Sequence, residues 1–171
     1  MNDGSNALIL HLGELEKNKD RGALAALRKG LGKAPGSVPE MFEHVIPYMD
    51  RDATMAQEDA SFLVASLFAS YPEGSGQGNM GATFRTISAA TGSDSTEGRF
   101  VALLKCHRDD LPDHLRHAVA LARSKNATID WDQLLCDIQN WDDASSSVQR
   151  RWARSFWELS RKMEQEKDSE E

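Results

Sequence analysis

VQRRWARSFWELSRKM, Val148 to Met163, decides the fold class. Val148, Trp152, Phe156, Leu159 and Met163 recur every third or fourth residue. An α-helix turns about 100° per residue, so these five share one side. Arg150, Arg154 and Arg161 line up on the opposite side, with Trp157 beside them. This is an amphipathic helix with a stripe for the core and a cationic face for solvent.

The same reading extends outward. On Pro112 to Lys125, Leu115, Val119 and Ala122 face inward, while Arg116 and Arg123 lie on one outer face. On Arg21 to about Leu31, Leu24, Leu27 and Leu31 oppose Arg21, Arg28, Lys29 and Lys33, with Asp20 as N-cap and Gly32 as the stop. Further helices are predicted over Asn6–Lys17, from Pro39 through His44 and Val45, and over Ala53–Tyr71 with Phe62, Leu63, Leu67 and Phe68 as its stripe. Others follow over Ala82–Ala90, Glu97–His107, and Asp130–Trp141. Asp110 and Asp130 stand where caps are needed. Pro72 to Gly81, with four glycines, reads as a mobile loop. Trp131, Trp141 and Trp152 read as an aromatic core. The expected fold is all-α, about eight helices in two packed small bundles. The polar stretch Thr91–Thr96 separates a half at 1–92 from one at 97–163, and a charged tail occupies 164–171.

The 171 residues are 40% hydrophobic and 27% charged, an ordinary globular composition. No apolar run approaches the roughly 18 residues of a membrane span. The first twenty residues lack a basic leader, so no signal peptide is expected. Cys106 and Cys136 cannot form a disulfide framework, and Cys106 reads as a buried thiol. A reduced, cytoplasmic setting follows.

Net charge is −7, from 20 basic and 27 acidic residues, but the signs are segregated. Lys17–Lys33 holds six bases and one acid, Arg99–Lys125 six and three, and Val148–Met163 five and one. Ala34–Phe84 and Asn126–Ser147 are acidic, and the last eight residues hold five acids. A polyanion responds to the local field, not to the total. Solvated helix faces ordinarily mix signs through Glu–Lys pairs, whereas acids are nearly absent from these stripes, Glu158 being the only one within the core of the last helix.

Catalytic signatures are missing. No P-loop, HExxH or G-x-S-x-G motif is present. His107, Asp109, Asp110, Asp113, His114 and His117 form the one cluster of metal-ligating types, and His114 and His117 are a helical turn apart. The aspartates read more simply as a helix start. No cofactor, metal site or catalytic residue is assigned.

DRGALAALRKGLG (20–32), VPEMF and IPYM, EDASFLVASLFASYP (58–72), GNMGATFR (78–85), GRFVALL followed by HRDDLPDHLRHAVALARSK (107–125), the DWDQLL segment and VQRRWARSFW occur in this order. The series resembles the CasB family, the small subunit of the type I-E CRISPR surveillance complex Cascade, over about Leu8 to Trp157. The resemblance implies a non-catalytic, two-bundle helical protein, present in two copies beside the guide-RNA backbone subunits and the large subunit. Its basic surface would support the target and displaced DNA strands and stabilise the R-loop, with guide RNA a further candidate. It implies basic positions at Arg28, Lys29, Arg99, Arg108, Arg116, Arg150 and Arg151, with Arg85 in addition. With the stripe residues Arg21, Lys33, Arg123 and Arg154 these make twelve candidate contacts. The alternatives are a purely structural adapter of the complex, or a metal-dependent phosphohydrolase built on His107, His114 and His117.

Overall fold

Helix starts carry side-chain acceptors for backbone amides that have no partner inside the helix. Asn6 accepts from Leu8 ahead of α1 (Ala7–Lys17), and Asp20 from Ala23 ahead of α2 (Arg21–Arg28). Thr54 and Gln57 form a reciprocal capping box at α4 (Met55–Ser70). Asn79 caps α5 (Met80–Thr91) and Asp130 caps α8 (Trp131–Gln139). The short α3 (Phe42–Val45) lies between the 3-10 turns Pro39–Met41 and Ile46–Tyr48. α6 (Asp94–Lys105), α7 (Leu111–Ser124) and α9 (Ser147–Asp168) complete the chain. This computed structural model describes residues 6–92 and 94–168, with side chains as far as 158. Among them the fold is all-α, with nine α-helices and one isolated bridge, Ser75 with Ile129, in place of any sheet.

α4 is the hub. Its expected stripe widens to nearly the whole circumference, because Ala60, Ser61, Ala65, Ser66 and Ala69 are buried together with Phe62, Val64, Leu67 and Phe68. Small side chains let neighbours approach on every side, and α2, α7 and α8 all pack on it. α5 packs chiefly on α9. The contact is close: a Cβ on Gly81 would stand 1.9 Å from the Trp152 carbonyl oxygen. Trp131, Trp141 and Trp152 are buried, as the aromatic-core reading expects. Trp141 and Trp152 tilt against each other with centroids 5.1 Å apart, and Phe100 sits between Phe84 and Phe156. The α9 stripe is buried at Val148, Trp152 and Phe156. The side chains of Leu159, Arg161 and Met163 lie outside the described residues, as do residues 169–171 of the tail.

Several local expectations are corrected. α2 ends at Arg28, and Lys29 to Gly32 continue as turns. Asp110 makes no side-chain cap bond at α7. One turn earlier, His107 accepts from the Asp109 amide and opens the 3-10 turn Arg108–Asp110. α8 stops at Gln139, short of Trp141. The glycine-rich loop is pinned: Gly76 donates to the Ile129 carbonyl at 2.9 Å, Ile129 donates to that of Gly74 at 2.8 Å, and Gly78 donates to the Asp130 carboxylate at 3.2 Å. Gly76 permits close approach, since a Cβ there would lie 2.2 Å from Thr128 Oγ1. Met80 and Gly81 already belong to α5. Cys106 is only partly buried, yet burial, with the Asp110 charge second, pushes its thiol up to about 11.

Candidate nucleic-acid interface

The candidate cations fall into classes that periodicity could not separate. Arg151 donates to Asp137 at 2.8 Å, and that carboxylate is fully buried. Arg85 donates to the Ser155 carbonyl at 2.7 Å and so ties α5 to α9. Arg108 pairs with Asp142 and donates to the Ile138 carbonyl at 3.0 Å, tying its 3-10 turn to α8. These three guanidinium groups are built into the packing. Arg21, Lys33, Arg99 and Arg150 have no ion pair or side-chain hydrogen bond among the described residues.

Four others sit in exposed pairs. Lys29 meets Glu40 at 3.1 Å, Arg116 meets Asp113 at 3.2 Å, Arg123 meets Glu73 at 3.8 Å and Arg154 meets Glu158 at 3.9 Å. Lys29 holds the Glu40 carboxyl below its usual range, after a larger effect of Glu40's own backbone hydrogen bond. Exposed pairs contribute only about 0–1 kcal/mol, so a phosphate can displace such a carboxylate at little cost. The buried Asp137 cannot be displaced in this way.

Packing gathers one group. α4 ends with carbonyls that lack helical partners and carry the negative end of the helix dipole. Arg28, the last residue of α2, donates to Ala69 there at 3.4 Å, and Arg123 of α7 donates to Ser70 at 3.2 Å. Arg116 lies beside Gly32, with Nη1 3.0 Å from where a Cβ would stand.

Four grooves adjoin along α7. The first, about 490 Å³, holds Arg99, His114 and His117 over Phe84, Leu103 and Leu121. It shares Ala120 with a second, of about 450 Å³, that contains Arg116 and Arg123. Leu31 and Arg116 join this to a third, of about 300 Å³, at Lys33. Pro35, Leu63, Asp109 and Pro112 join the third to a fourth, of about 460 Å³, at Arg108. Asp59, Asp109 and Asp113 also line the run. Lys33, Arg99, Arg108, Arg116 and Arg123 are thus placed along one helix, with Arg28 close by. No hydrogen bond or ion pair among the described residues joins Arg150, Arg151 or Arg154 to that run.

His114 and His117 share the first groove. His107 is elsewhere, 3.3 Å from Asp109. No group of three or more His, Cys, Asp or Glu among the described residues is arranged to hold a metal.

A family model described as CRISPR-associated protein Cse2 matches residues 23–157. The chain belongs to the Cse2 family. The Cse2 protein of Thermus thermophilus is 36% identical over 136 residues, 79% of this chain and 78% of that relative. A crystal structure of a Cse2-family protein from the same species superposes with a TM-score of 0.79 at 33% identity, covering 88% of this chain and 95% of that one. CasB of M. ruber gives 0.77 at 29%, covering 93% and 95%. A chain of a CRISPR RNA-guided surveillance complex gives 0.77 at 29%, covering 92% and 95%. The Cse2 match spans α7 and its grooves entirely. Asp137, the buried anchor of Arg151, also lies inside the matched region. Sequence reasoning missed it because it appears as one acid among five in a stretch without bases. The available signal was its place at three- and four-residue spacings from Leu134 and Trp141, on the apolar side of the helix.

Proposed function

We propose that the chain is a non-catalytic small subunit of an RNA-guided DNA surveillance complex, acting in the cytoplasm. In this reading two copies lie against the subunits that hold the guide RNA, and the α7 run of grooves supports target and displaced DNA strands through their phosphates. The carrying observation is that the segment after α2, together with α6 and α7, brings Lys33, Arg99, Arg116 and Arg123 to adjoining grooves as weakly paired or unpaired cations. Such contacts are blind to sequence, as strand support requires. Exchanging a DNA duplex for an RNA–DNA hybrid is nearly balanced, so a few backbone contacts tip it. The net charge of −7 keeps free DNA binding weak, and multivalency within an assembly offsets that.

The test is Lys33→Glu combined with Arg123→Glu in the assembled complex. Target affinity falls roughly tenfold or more, and the salt dependence flattens by about 0.7–0.9 per lost phosphate contact. Unchanged affinity at matched salt refutes the reading. An adapter role is favoured by the exposed carboxylate pairs and by exposed Met55, Ile46 and Leu10. It predicts that the same double variant is lost from the complex on size exclusion.

A further inference from the structure

The first α7 groove sets basic groups over an apolar floor. Phe84, Leu103, Ala118 and Leu121 form that floor, and Arg99, His114 and His117 supply its polar groups. No carboxylate lines it, whereas Asp109 lines both grooves at the far end of the run. Arg99 is exposed and has no ion pair or side-chain hydrogen bond among the described residues. A volume of about 490 Å³ lies within the range of small-ligand sites. Ala120, exposed on α7, lines both this groove and the Arg116–Arg123 groove.

These features suit an anion with a flat apolar part. A phosphate satisfies Arg99. The unstacked face of a base covers the apolar floor, and imidazole rings three residues apart on α7 offer a stacking platform. A duplex cannot present such a face, because its bases are stacked and paired, but a displaced single strand can. We propose that this groove seats one unstacked base of a single strand, with its phosphate on Arg99 and the neighbouring nucleotide passing Ala120 toward Arg123. The proposal rests on the reading of the α7 run as a strand path and adds to it a contact with the base.

The test compares the full-length chain binding a short labelled oligothymidylate and a strand of equal length made of abasic sites, at low salt. The natural chain binds the thymidylate roughly tenfold tighter, the usual scale of base–aromatic stacking. Ala102→Phe fills the mouth from an exposed position of α6 and abolishes that preference while leaving abasic binding unchanged. Arg99→Gln weakens both strands. Thermal midpoints of the variants confirm folding. Equal binding of the two strands by the natural chain, or a preference that survives Ala102→Phe, overturns the base seat. If abasic binding then still falls in Arg123→Glu, the phosphate path stands without the seat. Binding of neither strand overturns the base seat, and the phosphate path then stands or falls on the Lys33→Glu and Arg123→Glu double variant in the assembled complex.

Discussion

Arg151 and Asp137 form an ion pair with opposite exposures: the guanidinium side chain is 48% accessible and the carboxylate 0%. The same carboxylate accepts from Trp152 Nε1 at 2.6 Å and from Gln133 Nε2 at 2.9 Å. One acid of α8 therefore holds α9 through a cation and an indole. Asp137→Ala strands the buried indole N–H and opens a polar void, costing about 3 kcal/mol. Arg151→Ala leaves that buried carboxylate with its Trp152 and Gln133 donors but without its cation, and so also destabilises. Urea unfolding measures both, and a loss under about 0.5 kcal/mol for Asp137→Ala removes the anchor argument.

Gly81 and Gly98 make opposite predictions from the same substitution. At Gly81 an added Cβ meets the Trp152 backbone at 1.9 Å, so alanine forces α5 off α9 and costs about 3 kcal/mol or more. At Gly98, inside α6, nothing lies within 4 Å, so alanine stabilises by about 0.5–1 kcal/mol through helix propensity. Thermal midpoints moving in the same direction for both would contradict this packing.

His11 stacks on Tyr48 with centroids 3.8 Å apart, and its Nε2 is buried without a hydrogen-bond partner among the described residues. Burial, then the nearby His44, lowers its pKa, against a smaller opposing pull from Asp20. The unfolded chain then binds a proton that the folded chain resists. This contribution to stability is intact above about pH 6.5 and declines as pH falls from there through the lowered folded value. His11→Phe keeps the stacked ring and removes the titration. Its stability varies less between about pH 7 and 5 than that of the natural chain. Identical pH profiles would exclude His11 as the source.

We propose that the segments 1–92 and 97–163 unfold together, because α5 packs on α9 and α4 on α8 across the boundary between them. The four tryptophans lie between 131 and 157, so fluorescence reports the second segment while circular dichroism reports all helices. Coincident urea transitions by the two probes are expected. A fluorescence midpoint displaced from the dichroism midpoint would show that the segments are separable.

Periodicity and caps were legible because they are local. Asp20 and Asp130 cap helices through amides three residues on, and the α9 stripe needs only spacings of four. Where another local partner competed, as His107 did one turn ahead of Asp110, the residue type alone misled. The glycine-rich segment misled for a related reason: Gly76 packs closely on Thr128 and Gly81 on Trp152, which no local pattern announces.

The sequence by itself determined the helical class, the inward and outward faces, and, through its ordered motifs, membership of the Cse2 family. Only the tertiary structure decided which cations are available to a ligand. Arg28 and Arg123 meet acceptors 41 and 53 residues away, and Arg85 one at 70 residues. An amphipathic pattern states that a guanidinium points outward from its own helix. What it meets there is set by how neighbouring helices cross, and that depends on packing between distant parts of the chain.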